Sequence, residues 1–464
     1  MIHTAVTFHT SDESLQKIYH RAEEIERGNI AVMDGRRVLI EGSVYRNIWI
    51  ETQPMGGEMY AKRDMDAAYN NQYLFLKYQR EDGRLPGVIR RKPEGIEPAY
   101  SHLQGLSFPY HALNLYYWMR DENREYLALL YDAFSRYDDW LWRTRDTDGD
   151  GCLELFTLFD TGEDNSSRFP GAEGLYWGED APPVGHGLLP YESMDLMGYS
   201  FDTRMMLSEV SRLLENGEEV LWRQKAGAVR QKIRDYLWRE ERDACYDRDC
   251  KNRFLDTLIH NNLRVMYHGA FSQDMAERFV RRHLMNPAEF WTPMPLPSIA
   301  ANDPLFRNIR GNNWSGAAEG LTYQRAIRAM ENYGLYRPLT SIGLKLLEAV
   351  HRSMIFTQQY DPFTMEPTGD GDEYGPTALA ALEYIARFHG VTPIRDRLVW
   401  GALGGCESDY TQVWGEDRYR IVSDGRQAEA SINGKPILTL PAGYRAETDL
   451  SGNLLGKYDI TPII

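Results

Sequence analysis

The sequence predicts a mainly α-helical fold, a toroid of helical hairpins followed by a small antiparallel β domain. Three observations carry this. Apolar residues recur at helix-compatible intervals in paired segments joined by short polar connections, as in Leu103–Met119 with Glu125–Trp142 and Glu192–Leu214 with Glu218–Trp238. Long irregular loops separate the pairs, and no apolar strand precedes most helices, which excludes a TIM barrel and a doubly wound sheet. After about Pro393 the texture changes to short alternating runs with polar turns, and Asn433-Gly434 marks a hairpin.

Taken in order, a short alternating stretch at residues 1–10 precedes Ser11, an N-cap for a helix to about Glu26. Ala31–Trp49 reads as strand or loop, and Glu51–Glu58, with its Pro and two Gly, as a turn-rich loop. A strong helix is expected from Met59 to about Glu81. After the two pairs above, helices are expected at Phe254–Met266, Ser272–Leu284, Glu319–Tyr333, Leu339–Met354 and Thr377–Phe388. Amphipathic helices in this rhythm must bury their stripes on neighbours, and closing the ring brings the long loops to one end. The division is residues 1–392 for the helical body with a short N-terminal extension, and residues 393–464 for the β domain.

A chain of 464 residues can bury a full-sized core. Its formal charge of −16 makes nucleic acid and anionic membranes unsuitable partners and favours a neutral or cationic ligand. No run of eighteen apolar residues occurs and the first residues lack a signal peptide's pattern, so a cytoplasmic location is expected. Four irregularly spaced cysteines read as free thiols, and no ligand cluster calls for zinc. No cofactor is expected, and oligomeric state is left open.

Chemistry points to Asp160–Phe169, a run of acids, amides and turn residues with no use inside a regular element, which follows the equally irregular Arg145–Gly151. Asp146, Asp148 and Asp150 have the opening spacing of an EF-hand loop, but the distal position falls on Thr157, so a structural turn is the favoured reading. With Gly311–Gly316, these stretches resemble the six-hairpin glycosidases that include trehalases, processing α-glucosidase I and mannosylglycerate or glucosylglycerate hydrolases. The resemblance spans most of residues 55–390 and implies an (α/α)6 toroid and an inverting, exo-acting glycoside hydrolase. The family's acidic motif, Ser-Gly-x-Asp-Asn-Ser-Pro-Arg-Trp, matches Thr161–Phe169 with departures at Ser167 and Phe169, and makes Asp164 the general acid.

Inverting cleavage also needs a carboxylate that activates water on the opposite face of the sugar. Where the family has that Glu, in Phe356–Pro362, this chain has Gln358, which cannot accept the proton. Glu366 is the first substitute expected, with Glu373 and Glu319 behind it. Expected sugar contacts are Tyr60, Arg63 and Asp64 at the start of the first strong helix, Gln104, Asp195, Asn313 and Trp314, and Gln358 and Tyr360. The ligand is a small oligosaccharide or glycoside, a short α-glucoside or α-mannoside that loses its terminal hexose. Two other readings stay open: a glycan-binding protein that has lost the base, favoured by Gln358, and a toroidal sugar isomerase or epimerase, which requires paired histidines.

Overall fold

A computed structural model describes residues 1–101, 103–120, 123–169, 187–311, 314–369 and 371–463. Among these lie twelve α-helices: α1 (Glu13–Gly28), α2 (Gln53–Tyr60), α3 (Met65–Lys77), α4 (Pro109–Trp118), α5 (Arg124–Thr144), α6 (Met194–Leu214), α7 (Glu219–Lys232), α8 (Asn261–Tyr267), α9 (Gln273–Phe279), α10 (Gly320–Glu331), α11 (Tyr336–Ser353) and α12 (Gly375–His389). The even-numbered helices follow one another in space. Each touches the next, and α12 touches α2, so their contacts close on themselves. The odd-numbered helices pack outside, α3 on α2, α5 on α6 and α4, α7 on α6 and α11 on α10, with α1 lying across α12.

Inner and outer helices differ in composition for a physical reason. Every residue of α2 and of α12 is buried, whereas α1, α5 and α11 show one apolar stripe. Glu51–Glu58 was expected to be a loop, yet Gln53–Glu58 opens α2, with its proline in the first turn where no backbone donor is lost. A Cβ on Gly57 would lie 2.8 Å from that of Asn71 on α3, so glycine here allows two backbones to approach. Local propensity hid an inner helix whose stability comes from its surroundings.

Five strands form one antiparallel sheet in the order Thr4–Thr10, Glu407–Trp414, Asp417–Asp424, Gln427–Ile432 and Lys435–Pro441. Four more, Val391–Ile394, Arg397–Ala402, Tyr444–Asp449 and Leu454–Asp459, form a second. The first strand pairs with Glu407–Trp414 along its whole length, so the N-terminal stretch is part of this β structure. Buried Trp400 and Trp414 anchor the sheets, and the Trp414 indole donates to the Trp118 carbonyl at the end of α4. The four cysteines are free, and no helix among the described residues is long and apolar enough to cross a membrane.

Candidate active site

Side chains just before or at the starts of α2, α6, α8 and α10 meet one another: Glu51 accepts from Arg325 of α10, Asp195 from Asn261 of α8, and His260 lies within hydrogen-bond reach of Thr322. Two stretches singled out in the sequence meet directly. The Asn165 side-chain carbonyl accepts the Trp314 backbone N–H at 2.9 Å, the Ser315 hydroxyl donates to the Asn165 carbonyl at 3.1 Å, and the Ser167 N–H donates to the Ser315 hydroxyl at 2.9 Å. This stitching fixes the half-buried Asp164 beside Trp314, whose ring meets His260 edge-on.

Four buried glutamates, Glu41, Glu51, Glu163 and Glu319, interact with one another near this loop and differ in their partners. Glu51 accepts from Arg325 at 2.8 Å and faces Gln104, and Glu163 accepts from Arg168 at 2.7 Å with His260 3.4 Å away. Burial alone would raise the Glu163 carboxyl, but Arg168, His260 and Arg264 hold it well below the usual range, while burial brings His260 down to about 4 and keeps it neutral. Gly162 belongs to this clamp. Its φ is 73°, and a Cβ there would lie 2.3 Å from a Glu51 carboxylate oxygen, so the motif's glycine is required twice over.

Glu41 and Glu319 make no salt bridge to any described cation. Burial, with the negative charges of Glu51 and Asp164, pushes Glu41 up to about 8, against a hydrogen bond at 3.0 Å from the Tyr374 hydroxyl. Glu319 is fully buried, and desolvation raises it well above the usual carboxylate range, with Glu51 and Glu163 adding to the effect and Gln359 and Arg264 opposing it. The Gly375 N–H donates to the Glu41 carbonyl and the Gly320 N–H to that of Gln358, so both segments are tied to inner-helix starts.

The remaining expected site residues divide cleanly. Asp195, in the first turn of α6, accepts from Asn261 at 2.6 Å and Arg264 at 3.3 Å, and burial raises it to about 6. Gln358 accepts from the Tyr45 hydroxyl at 2.9 Å. Gln104 thus meets Glu51, Asp195 meets Arg264 and Asn261, and the Trp314 backbone meets Asn165, the neighbour of Asp164.

Tyr60, Arg63 and Asp64 lie apart from these. They close α2 instead of opening it, because the helix starts at Gln53, and they sit at the other end. Arg63 pairs with Glu23 of α1, Asp64 caps α3 and pairs with Arg37, and Tyr60 is buried near Arg63 and Glu26. Tyr360 is core, its hydroxyl donating to the Ile355 carbonyl. Glu366 is exposed and lines an outer groove with Arg310 and Arg352, away from the buried acids, and Glu373 pairs with Arg21. Asn313 lies outside the described residues.

Glu41, Glu51, Arg264 and Arg325 were missed. Glu41 follows the apolar Val38-Leu39-Ile40 and precedes Gly42, a buried-acid signal visible only in retrospect.

Beside the site, Asp146, Asp148 and Asp150 bring carboxylate oxygens within 4.8 Å of one another, as do Asp148, Glu154 and Glu192. Glu192, from a distant strand, supplies the distal carboxylate that Thr157 cannot. Lys232 now donates to Asp150 at 3.1 Å, while burial and the Asp150, Glu154 and Asp148 charges raise Glu192 to about 8. Its carboxylate lies beside the Cys152 thiol, and its Oε2 is buried with no hydrogen-bond partner among the described residues. Oxygen-only donors at these spacings can hold a hard divalent cation such as calcium. Calcium added to chelator-treated protein is expected to raise Tm by several degrees, more at pH 8 than at pH 6, and Glu192→Gln to abolish the increment. A Tm indifferent to calcium would leave the loop a structural turn.

The family model for the mannosylglycerate hydrolase MGH1-like glycoside hydrolase domain matches residues 53–377, more than two thirds of the chain. Among solved structures, the fold is similar to GH63 mannosylglycerate hydrolase from Thermus thermophilus in complex with glucose, with 16% identity, TM-score 0.64, and 80% of this chain and 100% of that one covered. It is also similar to neutral trehalase Nth1 from Saccharomyces cerevisiae, with 12% identity, TM-score 0.53 and coverage of 78% and 80%. An α-L-rhamnosidase from Dictyoglumus thermophilum covers 93% of this chain with 44% of its own length, at 13% identity and TM-score 0.59. No curated protein matches the sequence.

Proposed function

The chain belongs to the mannosylglycerate hydrolase MGH1-like glycoside hydrolase family, and from that premise we propose an inverting, exo-acting enzyme on an (α/α)6 toroid. It releases a terminal hexose from a short α-glucoside or α-mannoside. Asp164 is the general acid and Glu41 the general base. The observation that carries this reading is Glu41 itself, a buried carboxyl without a counter-cation whose proton affinity is raised by burial and by the Asp164 charge. Turnover needs Asp164 protonated and Glu41 ionised, so the raised proton affinity of Glu41 makes it a strong base once its proton is lost.

In the reaction Asp164 gives its proton to the glycosidic oxygen as the bond to the anomeric carbon breaks. Glu41 takes a proton from the water whose oxygen attacks that carbon from the opposite face, so the products are a free alcohol and a hexose of inverted configuration. Solvent then returns a proton to Asp164 and removes one from Glu41. Glu319, buried beside Gln359 at the start of α10, is the second candidate for the base. Gln358, where the family's base would stand, accepts from Tyr45 and keeps the sugar-facing wall polar. Trp314 gives the terminal sugar an apolar face.

A hexose pocket is consistent with the glucose bound by the Thermus mannosylglycerate hydrolase. The test is monosaccharide release from a panel of α-glucosides and α-mannosides with small aglycones, glycerate among them. Single hexoses from chain ends are expected. Longer oligosaccharides appearing first from a polymer would contradict exo-action.

A further inference from the structure

A cleft of about 750 Å³ opens at the end of the molecule opposite Asp164, where α6 and α10 finish against the four-stranded sheet. A second hollow of about 600 Å³ adjoins it and shares Tyr110, Glu209, Arg328 and Arg395. Tyrosines 110, 117, 333, 336 and 458 supply aromatic surface to the larger cleft.

Most cations of this cleft already have counter-ions. Arg328 grips Asp202 through two bonds of 2.8 and 3.0 Å, Arg445 meets Glu331 at 2.9 Å and Glu447 at 2.8 Å, and Arg212 meets Glu209 at 2.7 Å. Arg395 has no ion pair with any described residue, and its Nε is buried without a hydrogen-bond partner. Its position is nonetheless built. Arg395 stands in the two-residue turn between Val391–Ile394 and Arg397–Ala402, with φ 54°, where Gly or Asn is the usual occupant. Its N–H donates to the Asn114 side chain at 2.7 Å, and its guanidinium carbon lies 5.6 Å from the Tyr110 ring centroid.

A half-buried guanidinium with no direct ion pair keeps N–H donors to offer, and a planar fork matches phosphate or carboxylate oxygens. The tyrosine rings beside it give the cleft apolar surface for a sugar, with Arg328 stacked over the Tyr110 ring at 3.8 Å. We propose that this cleft is a second binding site, separate from the glycosidic centre, for a sugar carrying one anionic group, with Arg395 holding the anion and Tyr110 and Tyr117 flanking the sugar. Tyr110, Tyr117 and Glu209 line the same cleft as Arg395.

Calorimetric titration of the full chain with glucose 6-phosphate, glucose and inorganic phosphate tests this. Glucose 6-phosphate is expected to bind at least tenfold more tightly than either part alone. Arg395→Gln should weaken it at least tenfold, Arg395→Lys should fall between, and Asp164→Asn should leave it unchanged. Equal affinity in Arg395→Gln, loss of binding in Asp164→Asn, or no binding at millimolar concentration would overturn the proposal. None of these outcomes bears on hydrolysis, so the two readings fail separately.

Discussion

Asp164→Asn is expected to lower kcat on glycosides of simple alcohols by roughly 10²–10⁴-fold, the usual contribution of a positioned proton donor. Most of that loss should be recovered on a glycoside whose aglycone is an acidic phenol, because such a leaving group departs without protonation. Stability should change little. Asp164 is half-buried, and the stitching of its loop runs through Asn165, Ser167 and Ser315, leaving the fold's supports intact. An equal loss on both substrates would remove Asp164 from the acid role.

Glu41→Gln is expected to cost a comparable factor on every substrate, whatever its leaving group, since water activation fails in each case. Azide, which needs no deprotonation, should restore turnover and give a glycosyl azide of inverted configuration. The same variant carries a stability signature with a definite sign. The folded-state proton affinity of Glu41 is raised, so its contribution is complete below the ordinary carboxylate range and is lost as pH rises toward about 8. Across that window each pH unit costs up to roughly 1.4 kcal/mol for a single such group. Glu41→Gln should therefore be more stable than the wild type at pH 8 and nearly equal to it at pH 4. Glu192 tilts both proteins in the same direction, and the difference between them isolates Glu41. Wild-type activity should rise as pH approaches about 8, because Glu41 must lose its proton to act as base.

What was legible in the sequence follows the range of the interactions that made it. Amphipathic outer helices such as α5 and α11 are written in local periodicity, and the Asp160–Phe169 and Gly311–Gly316 loops in local turn chemistry. Both loops proved to touch each other. The inner helix α2 was not legible, because proline and two glycines lower its propensity and only Asn71, Leu379 and Gln324 around it make those residues fit. That one misplaced start carried Tyr60, Arg63 and Asp64 to the wrong end of the helix.

The proposed base was hidden for a related reason. Glu41 has no spacing to Asp164 or Tyr374 in the sequence and meets them only when the closing helix α12 returns beside α2. Glu366 attracted attention through its neighbourhood to Gln358, although the loop turns it outward.

The most direct test of the account is proton NMR of the first-formed hexose, recorded before mutarotation, during hydrolysis of an α-glucoside or α-mannoside that the enzyme accepts. The acid–base pair of Asp164 and Glu41 predicts that the β anomer appears first. Initial release of the α anomer would mean retention through a covalent intermediate, and would contradict the single-step mechanism built on these two carboxyls.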